Sequence, residues 1–317
     1  MQRARGVRMT GEVPDALSFH PSVIHHWDGG YIGIGIDGEL VKLSSDLVVE
    51  GPVVKPFPTP IHSSTVLGEQ LILTWVDHEL LLARMSSIDL NSKLQNGPDR
   101  GELRTRREVN VALHPAGTVW SHVLDSEPLS LTSNNEFFTF VLWRKGIYCM
   151  GMDAGEHWRK EEPNWPELGR LPSAQTVVAS ALQNDELTVW SRGGGFASYD
   201  VKTGELRSAG VIGFQGILQQ VYCTAKHQLL CYESGDVLWV EDGIHRVQQR
   251  FKGPVQHALW NEGKDGWNIA GWREEAMLTK DNCLQRTLDE IPVQVLEHKG
   301  KRLLVLNNGT FIESNLS

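Results

Sequence analysis

Short stretches in which hydrophobic and polar residues alternate dominate the chain, and this is the pattern of half-buried β-strands. Two such stretches joined by a short polar turn form a unit that recurs. The clearest copies pair Leu71–Trp75 with Leu80–Met85, and Phe137–Trp143 with Ile147–Met152. No long window has the 3.6-residue period of an amphipathic helix with capping signals. The pattern therefore predicts an all-β chain with very little α-helix.

Weaker copies of the unit bring the total to seven. The first and last copies contain Asp37-Gly38 and Asn308-Gly309 turns, which favour the positive φ angles of tight hairpins. The residues that end the first strand of each unit recur at intervals of about 40 residues, as in β-propeller blades, with one longer interval between the second and third. They are Ile36, Trp75, Trp143, Trp190, Tyr232, Trp272 and Leu306.

Further apolar runs flank the predicted hairpins. Runs such as Val23–His25 and Ile217–Tyr222 precede them as innermost strands, and runs such as Leu47–Val54 follow as outermost strands. The chain ends on an apparent third strand, Thr310–Glu313, so residues around Gly6–Met9 are expected to add the fourth and protect its edge. The predicted fold is an all-β, seven-bladed β-propeller of four-stranded antiparallel blades, closed by an N-terminal strand.

Residues 1–317 are predicted to form one such domain, because all-β units of this size commonly close as a single ring or barrel. The long interval at residues 86–117 contains Asn96-Gly97-Pro98 and is expected to be an excursion on the surface. It also carries a basic cluster of Arg100, Arg104, Arg106 and Arg107. An elongated pair of sandwiches is the competing fold, but it does not account for the constant interval between units.

Composition and charge narrow the possible functions. The chain is 40% hydrophobic and 22% charged, which is ordinary globular usage. Its net charge of -9 repels polyanions and disfavours nucleic acid as a partner. No run approaches the ~18 apolar residues of a membrane span, and residues 1–20 lack the apolar core of a secretory signal. We therefore expect a cytoplasmic protein with no membrane partner.

The four cysteines, Cys149, Cys223, Cys231 and Cys283, form no Cys-x-x-Cys pair. Such spacing is typical of reduced thiols in a core, although Cys223 and Cys231 flank a predicted turn and a disulfide between them stays open. Zinc would need further ligands that the spacing does not supply. His25 and His26 are neighbours on a predicted strand and point to opposite faces, so we expect no metal site.

Two turn sequences resemble turns of known propeller families. Asp153-Ala154-Gly155-Glu156-His157-Trp158 is similar to the Asp-box of sialidase-type propellers, with Gly151 where a small hydroxyl residue is usual. The resemblance implies a structural turn between the third and fourth strands, in which Asp153 bonds to turn backbone and Trp158 packs into the blade. Residues Tyr199 to Leu206 resemble the same turn in quinoprotein-type and WD-repeat propellers. The Arg-Ile-Pro signature of sialidases is absent, and the turns imply no activity.

Ligands of propellers bind at the mouth of the central channel, where the innermost strands begin. Amide and imidazole groups both donate and accept hydrogen bonds, so a ring of them there can bind a small polar ligand or a carbohydrate. Alternatively, such side chains only satisfy neighbouring backbone and water. The candidate ligand-binding residues are His62, Gln175, Gln215, Gln256, His257 and Gln294.

The remaining candidates favour a non-enzymatic role. No nucleophile elbow, phosphate loop or dinucleotide motif is present, so no cofactor is expected. Trp165 in a proline-rich stretch is the expected exposed contact. We predict a protein-interaction or scaffold module, with a small-polar-ligand or carbohydrate-binding propeller, hydrolytic or not, as the alternative. Four tryptophans that the repeat places at one position are expected to pack between blades: Trp75, Trp143, Trp190 and Trp272.

Overall fold

The computed structural model describes residues 14–105, 113–169, 173–213 and 216–316. In these ranges the strands form seven antiparallel sheets that follow one another in chain order. The innermost strand of each sheet contacts the innermost strands of both neighbouring sheets, and the first sheet contacts the seventh. The described chain is therefore a closed, seven-bladed β-propeller, as the repeat predicts.

Strands are numbered along the chain, and each blade runs from the channel outwards. Blade 1 comprises β1 (Pro21–Trp27), β2 (Gly30–Gly35), β3 (Leu40–Leu43) and β4 (Val49–Val54). Blade 2 comprises β5 (Ile61–Leu67), β6 (Gln70–Asp77), β7 (Leu82–Asp89) and β8 (Thr118–Leu124). Blade 3 comprises β9 (Pro128–Ser133), β10 (Phe137–Leu142), β11 (Gly146–Gly151) and β12 (Glu156–Lys160).

Blades 4 to 6 repeat the four-stranded arrangement. Blade 4 comprises β13 (Val177–Gln183), β14 (Glu186–Ser191), β15 (Gly195–Asp200) and β16 (Leu206–Val211). Blade 5 comprises β17 (Leu218–Cys223), β18 (His227–Tyr232), β19 (Asp236–Glu241) and β20 (Ile244–Arg250). Blade 6 comprises β21 (His257–Asn261), β22 (Gly266–Gly271), β23 (Glu274–Thr279) and β24 (Cys283–Thr287). Blade 7 comprises β25 (Pro292–His298), β26 (Lys301–Leu306) and β27 (Phe311–Glu313).

The hydrophobic core lies between blades. Middle strands such as β2, β10 and β22 are buried along their whole length because a neighbouring blade covers each face. Outer strands such as β16 are mostly exposed on their solvent side. Between blades 5 and 6, for example, Trp239 packs against Trp260, which in turn packs against Trp267. This packing removes large aromatic surfaces from water and holds adjacent blades together.

Blade 7 has three strands in the described residues, and no fourth strand from the N-terminal segment is shown there. The predicted N-terminal strand at residues 6–9 lies outside the described residues. Leu17 N donates to Gly309 O at 2.9 Å. Phe251 N, directly after β20, makes the equivalent bond in blade 5, to Gly235 O in the turn between the second and third strands. Asp15 N then donates to Leu47 O in blade 1. The described part of the N-terminal segment therefore bridges blades 7 and 1.

The connection between β7 and β8 covers the seam between blades 1 and 2. It contains the helix α1 (Arg100–Thr105), and Leu90, Leu94 and Leu103 pack on Phe57 and its neighbours. The segment expected at the surface, residues 86–117, thus begins inside β7. In the basic cluster, Arg100 binds Asp77 and Glu79, and Arg104 binds Glu79. Arg106 and Arg107 lie outside the described residues.

Two expectations for tryptophan are wrong. Trp75 and Trp190 are buried, but Trp143 and Trp272 are exposed because they stand one residue beyond β10 and β22, in turns. Trp165 is buried, and its indole N–H donates to Phe196 O at 2.9 Å. The proline-rich segment folds inwards and fills the space between blades 3 and 4.

The four cysteines are free thiols, so Cys223 and Cys231 are not joined. Burial raises the pKa of both the Cys149 and the Cys223 thiol to about 12.

No helix in the described ranges has the length and apolar character to cross a membrane. No group of three His, Cys, Asp or Glu side chains in the same ranges is arranged to hold a metal ion.

Candidate functional site

One end of the propeller carries all of the turns between second and third strands. Because neighbouring strands are antiparallel, the connections from each outer strand to the next inner strand lie at this same end. We call this end the BC face. Its turns are residues 36–39, 78–81, 143–145, 192–194, 233–235, 272–273 and 307–310.

Large apolar side chains are exposed on the BC face. The Trp143 side chain is 43% exposed and that of Trp272 is 48% exposed. Further exposed apolar residues occupy two other turns and the connection between blades 4 and 5: Ile36, Leu81 and Ile217. Exposed apolar residues also occur at the opposite end, at Val48, Met152, Leu206 and Ile244, but the exposed tryptophans among the described residues both lie on the BC face.

Two turns on this face share a Trp-Arg sequence. Trp143-Arg144 follows β10 and Trp272-Arg273 follows β22, and both arginines adopt φ 56°. Non-glycine residues seldom adopt this left-handed conformation. The Arg144 guanidinium carbon lies 4.4 Å from the centre of the Trp143 ring, a cation–π contact. The two turns therefore present a tryptophan and an adjacent cation.

Contacts with the connections between blades fix both arginines. Glu162 Oε2 accepts a hydrogen bond from Arg144 N at 3.1 Å. Burial raises the pKa of Glu162, and the backbone bond and positive charge of Arg144 oppose this rise. The Arg273 guanidinium donates to the backbone oxygen of Asp289. Tryptophan and arginine held in this way are the residue types that dominate binding energy at protein interfaces.

Trp143 separates two pockets on the BC face. The first, of about 340 Å³, lies between blades 2 and 3 and is lined by apolar groups that include Leu81, Leu124 and Trp143. The second, of about 450 Å³, lies between blades 3 and 4 and is lined by polar groups that include Arg144, Glu162 and Gln175. The indole is therefore accessible along both sides.

The structure places the predicted polar residues at or near the starts of inner strands, but most of them have protein partners. His62 is exposed and lies at a β-bulge in β5. Gln175 Oε1 accepts from Trp165 N at 3.1 Å, so it fixes the inward-folded segment. Gln256 Nε2 donates to Pro254 O at 3.2 Å. Gln215 lies outside the described residues.

The last two candidates join neighbouring blades. His257 Nδ1 accepts from Val295 N at 3.4 Å, and burial lowers the pKa of His257 to about 4, helped by the nearby His25. Gln294 Oε1 accepts from Ile24 N at 2.6 Å, while Gln294 Nε2 donates to Ile24 O at 2.8 Å. Gln294 therefore joins blade 7 to blade 1. A ligand-binding role for the six candidates stays a prediction.

Sequence reasoning missed the exposed tryptophans, although a signal was present. The sequences Leu142-Trp143-Arg144-Lys145 and Gly271-Trp272-Arg273-Glu274 each place a bulky residue beside charged residues, where a turn was expected. The charged pair is a signal only where a turn is also expected, because Trp158-Arg159-Lys160 lies inside β12 with Trp158 buried. Treating Trp143 and Trp272 as strand residues assigned them to the core.

The fold is shared with solved propellers at low sequence identity. No family model and no curated protein matches the chain. The β-propeller domain of Cps50 (Swd1) from Myceliophteria thermophila is 13% identical with a TM-score of 0.69, covering 96% of this chain and 99% of that one. The WD40 propeller domain of Doa1 is 12% identical with a TM-score of 0.65, covering 96% and 95%. BamB from Moraxella catarrhalis is 11% identical with a TM-score of 0.56, covering 91% and 80%.

Proposed function

We propose that residues 1–317 act as one propeller domain whose function is to bind another protein through the BC face. The observation that carries this proposal is the pair of exposed Trp-Arg turns, Trp143-Arg144 and Trp272-Arg273, at the same turn position in two blades. Burying either indole against a partner would remove a large apolar surface from water. A rigid ring holds both turns in place without ordering a loop on binding.

Several other features support an interaction role. The WD40 propellers among the structural neighbours agree with such a role at the general level. The net charge of -9 disfavours nucleic acid as the partner.

We also propose a cytoplasmic location, which the four free thiols support. A small polar ligand remains the second candidate because His62 is exposed at the start of an inner strand.

The test compares partner capture by matched variants. W143A and W272A, singly and together, remove the exposed indoles, while Ile244→Ala removes an exposed apolar side chain from the start of β20, at the opposite end. We expect cross-linking in cell extract to identify a protein whose recovery falls about tenfold with the double variant and is unchanged with I244A. In calorimetry, the purified partner should then bind wild type and I244A with similar affinity and the double tryptophan variant more weakly.

The same experiment can reject the proposal. If every captured protein is recovered equally with wild type, the double variant and I244A, the BC face is not the docking surface. Binding of a sugar or organic acid that is lost with His62→Ala and kept with the double tryptophan variant would favour the small-ligand function instead.

A further inference from the structure

Connections between blades fill the seams of this propeller with apolar side chains. In six of the seven seams, the chain that leads to the next inner strand inserts at least one apolar residue into the core between the two blades. Phe251, for example, directly follows β20 and is buried between blades 5 and 6. The residues that fill six seams are Leu17, Phe57, Trp165, Ile212, Phe251 and Leu288.

The seam between blades 2 and 3 differs from the others. Its connection is Asp125-Ser126-Glu127, which contains no apolar side chain. The core between these blades is built only from strand residues and includes Leu67, Phe138 and Phe140. The outer part of this seam is correspondingly open.

An apolar groove occupies the open part of this seam. The pocket beside Trp143 on the BC face shares Leu124 and Asp125 with a second pocket of about 300 Å³. That second pocket lies between β8 and blade 3, and Trp120, Tyr148 and Met150 contribute to its lining. The two pockets together form one groove, which we call the blade 2/3 groove.

Stacked aromatic rings form one wall of the groove. The Trp120 and Phe138 rings lie 5.8 Å apart with an interplanar angle of 12°. Phe140 and Tyr148 stack at 4.9 Å and 3°, and Phe138 links the two pairs through Phe140 at 6.1 Å. Trp120 and Tyr148 are only half-buried. The Arg159 guanidinium lies over the Tyr148 ring, 5.7 Å from its centre. The flat aromatic surface that an incoming apolar side chain can reach is therefore mainly that of Trp120.

Carboxylates outnumber cations in the lining of the groove. The guanidinium of Arg159 is the only Lys or Arg group among the described lining residues. Arg100 and Lys145 lie outside the lining and bind Asp77 and Asp125. The lining carboxylates are Asp77, Asp125, Glu127 and Glu156. After these ion pairs, Glu127 and Glu156 remain against Arg159. The lining therefore keeps a small excess of negative charge, which favours a basic residue beside the side chain that enters.

We propose that the blade 2/3 groove binds an extended segment of a partner protein, which inserts one bulky apolar side chain flanked by basic residues. This inference rests on the proposed function and names the partner's chemistry. Extended connections deliver Phe251 and Trp165 to the seams that they fill, so the same mode of delivery suits the seam that has no such residue. Trp143 borders the groove and joins it to the BC face.

The test uses a matched pair of residues on one strand. Val123 and Val119 both lie on β8 and are 55% and 56% exposed, but only Val123 is among the groove-lining residues. Short random peptides displayed on phage would be selected on the full wild-type chain without counter-selection, and the enriched peptides would then be compared on wild type, V123R, V119R and W272A. We expect the enriched peptides to share one Trp, Phe, Leu or Met with adjacent Lys or Arg residues.

Affinities of a synthesised, fluorescein-labelled peptide then discriminate between sites. We expect anisotropy titrations to show binding weakened about tenfold or more by V123R and changed less than about twofold by V119R. Replacing the apolar residue of the peptide by Ala should abolish binding, and replacing its basic residues by Glu should weaken it. Thermal unfolding of V123R and V119R checks that both variants fold.

Each other outcome overturns the inference. Peptides that bind V123R and wild type equally but lose affinity to W272A would place the interaction on the BC face away from the groove, which keeps the proposed function and rejects the groove. Failure to enrich any peptide of the stated chemistry rejects the groove as well. If wild type binds such a peptide only after removal of residues 1–13, the occupant is the chain's own segment. A dimer that V123R dissociates would identify a second copy as the occupant.

Discussion

Gln294 gives the sharpest test of how the ring is held closed. Its side chain is 7% exposed, and its amide pairs with both the backbone N–H and the backbone oxygen of Ile24 in blade 1. Gln294→Ala removes both hydrogen bonds. It leaves a buried donor and a buried acceptor of Ile24 without their partners, because water does not reach this contact between inner strands easily.

The expected loss of stability follows from the two orphaned groups. A buried backbone group left without a hydrogen bond costs about 1–3 kcal/mol, so the two orphaned groups of Q294A should lower the free energy of unfolding by about 2–6 kcal/mol. A protein domain is commonly stable by only about 5–15 kcal/mol. The matched control is Gln248→Ala, because Gln248 is exposed on β20. This control should change stability by no more than about 0.5 kcal/mol.

Urea unfolding followed by tryptophan fluorescence measures the difference. The chain has 11 tryptophans, several of them in cores between blades, so the signal reports on the ring. With an unchanged slope against urea, the lower midpoint of Q294A gives the loss directly. Equal midpoints for Q294A and Q248A would refute the reasoning, and apolar packing around Leu17 would then account for closure alone.

Two further predictions follow. Burial lowers the pKa of His25 and His257 from 6.5 to about 4, so the unfolded chain takes up protons that the folded chain does not. Stability should therefore fall as the pH drops below about 6.5, by up to about 3 kcal/mol per histidine as the pH approaches 4; urea midpoints that stay constant from neutral pH to about pH 5 would contradict this. Trp165→Ala should lower the free energy of unfolding by about 3–5 kcal/mol, because it empties a buried site, whereas Trp143→Ala should cost less than about 1 kcal/mol; equal urea midpoints would show that Trp165 is not a core residue.

The repeat predicts the blades because strand periodicity is a local property. The alternating runs place the hairpin of β10 and β11 within one residue of its observed bounds. The same periodicity does not define which residue ends a strand. Trp75 pairs with Ile61 inside the sheet, whereas Trp143 lies in the turn after β10. A shift of one residue is enough to exchange a core position for an exposed one.

The candidate site depends on contacts that the local sequence does not encode. The sequence places Gln294 near the start of an inner strand but does not show that the closed ring brings Ile24 beside it from the other end of the chain. Trp165 looks exposed in its proline-rich stretch until that stretch folds over the seam of blades 3 and 4. Both outcomes follow from long-range packing, which local periodicity does not report.

The turns of the BC face divide into two groups by their backbone chemistry. Four blades place a glycine in the left-handed conformation that these turns require: Gly38, Gly194, Gly235 and Gly309, with φ from 85° to 86°. The other three blades have a non-glycine residue in a left-handed conformation within the turn: Leu81, Arg144 and Arg273. For a non-glycine residue this conformation costs on the order of 1 kcal/mol or more.

Those same three blades carry Leu81, Trp143 and Trp272 exposed on the BC face. Glycine at the left-handed position would relieve the backbone strain, and polar residues beside it would remove apolar surface from water, so folding alone favours neither feature of these turns. Local strain combined with exposed apolar surface is the arrangement expected where a surface is shaped for binding. The opposite end also combines the two features, because Leu47, Ala154 and Asp242 are left-handed there beside exposed Val48, Met152 and Ile244. The combination therefore does not distinguish the two ends. The BC face is distinguished by the identity of its exposed groups, since the exposed tryptophans among the described residues, Trp143 and Trp272, both lie there beside an arginine.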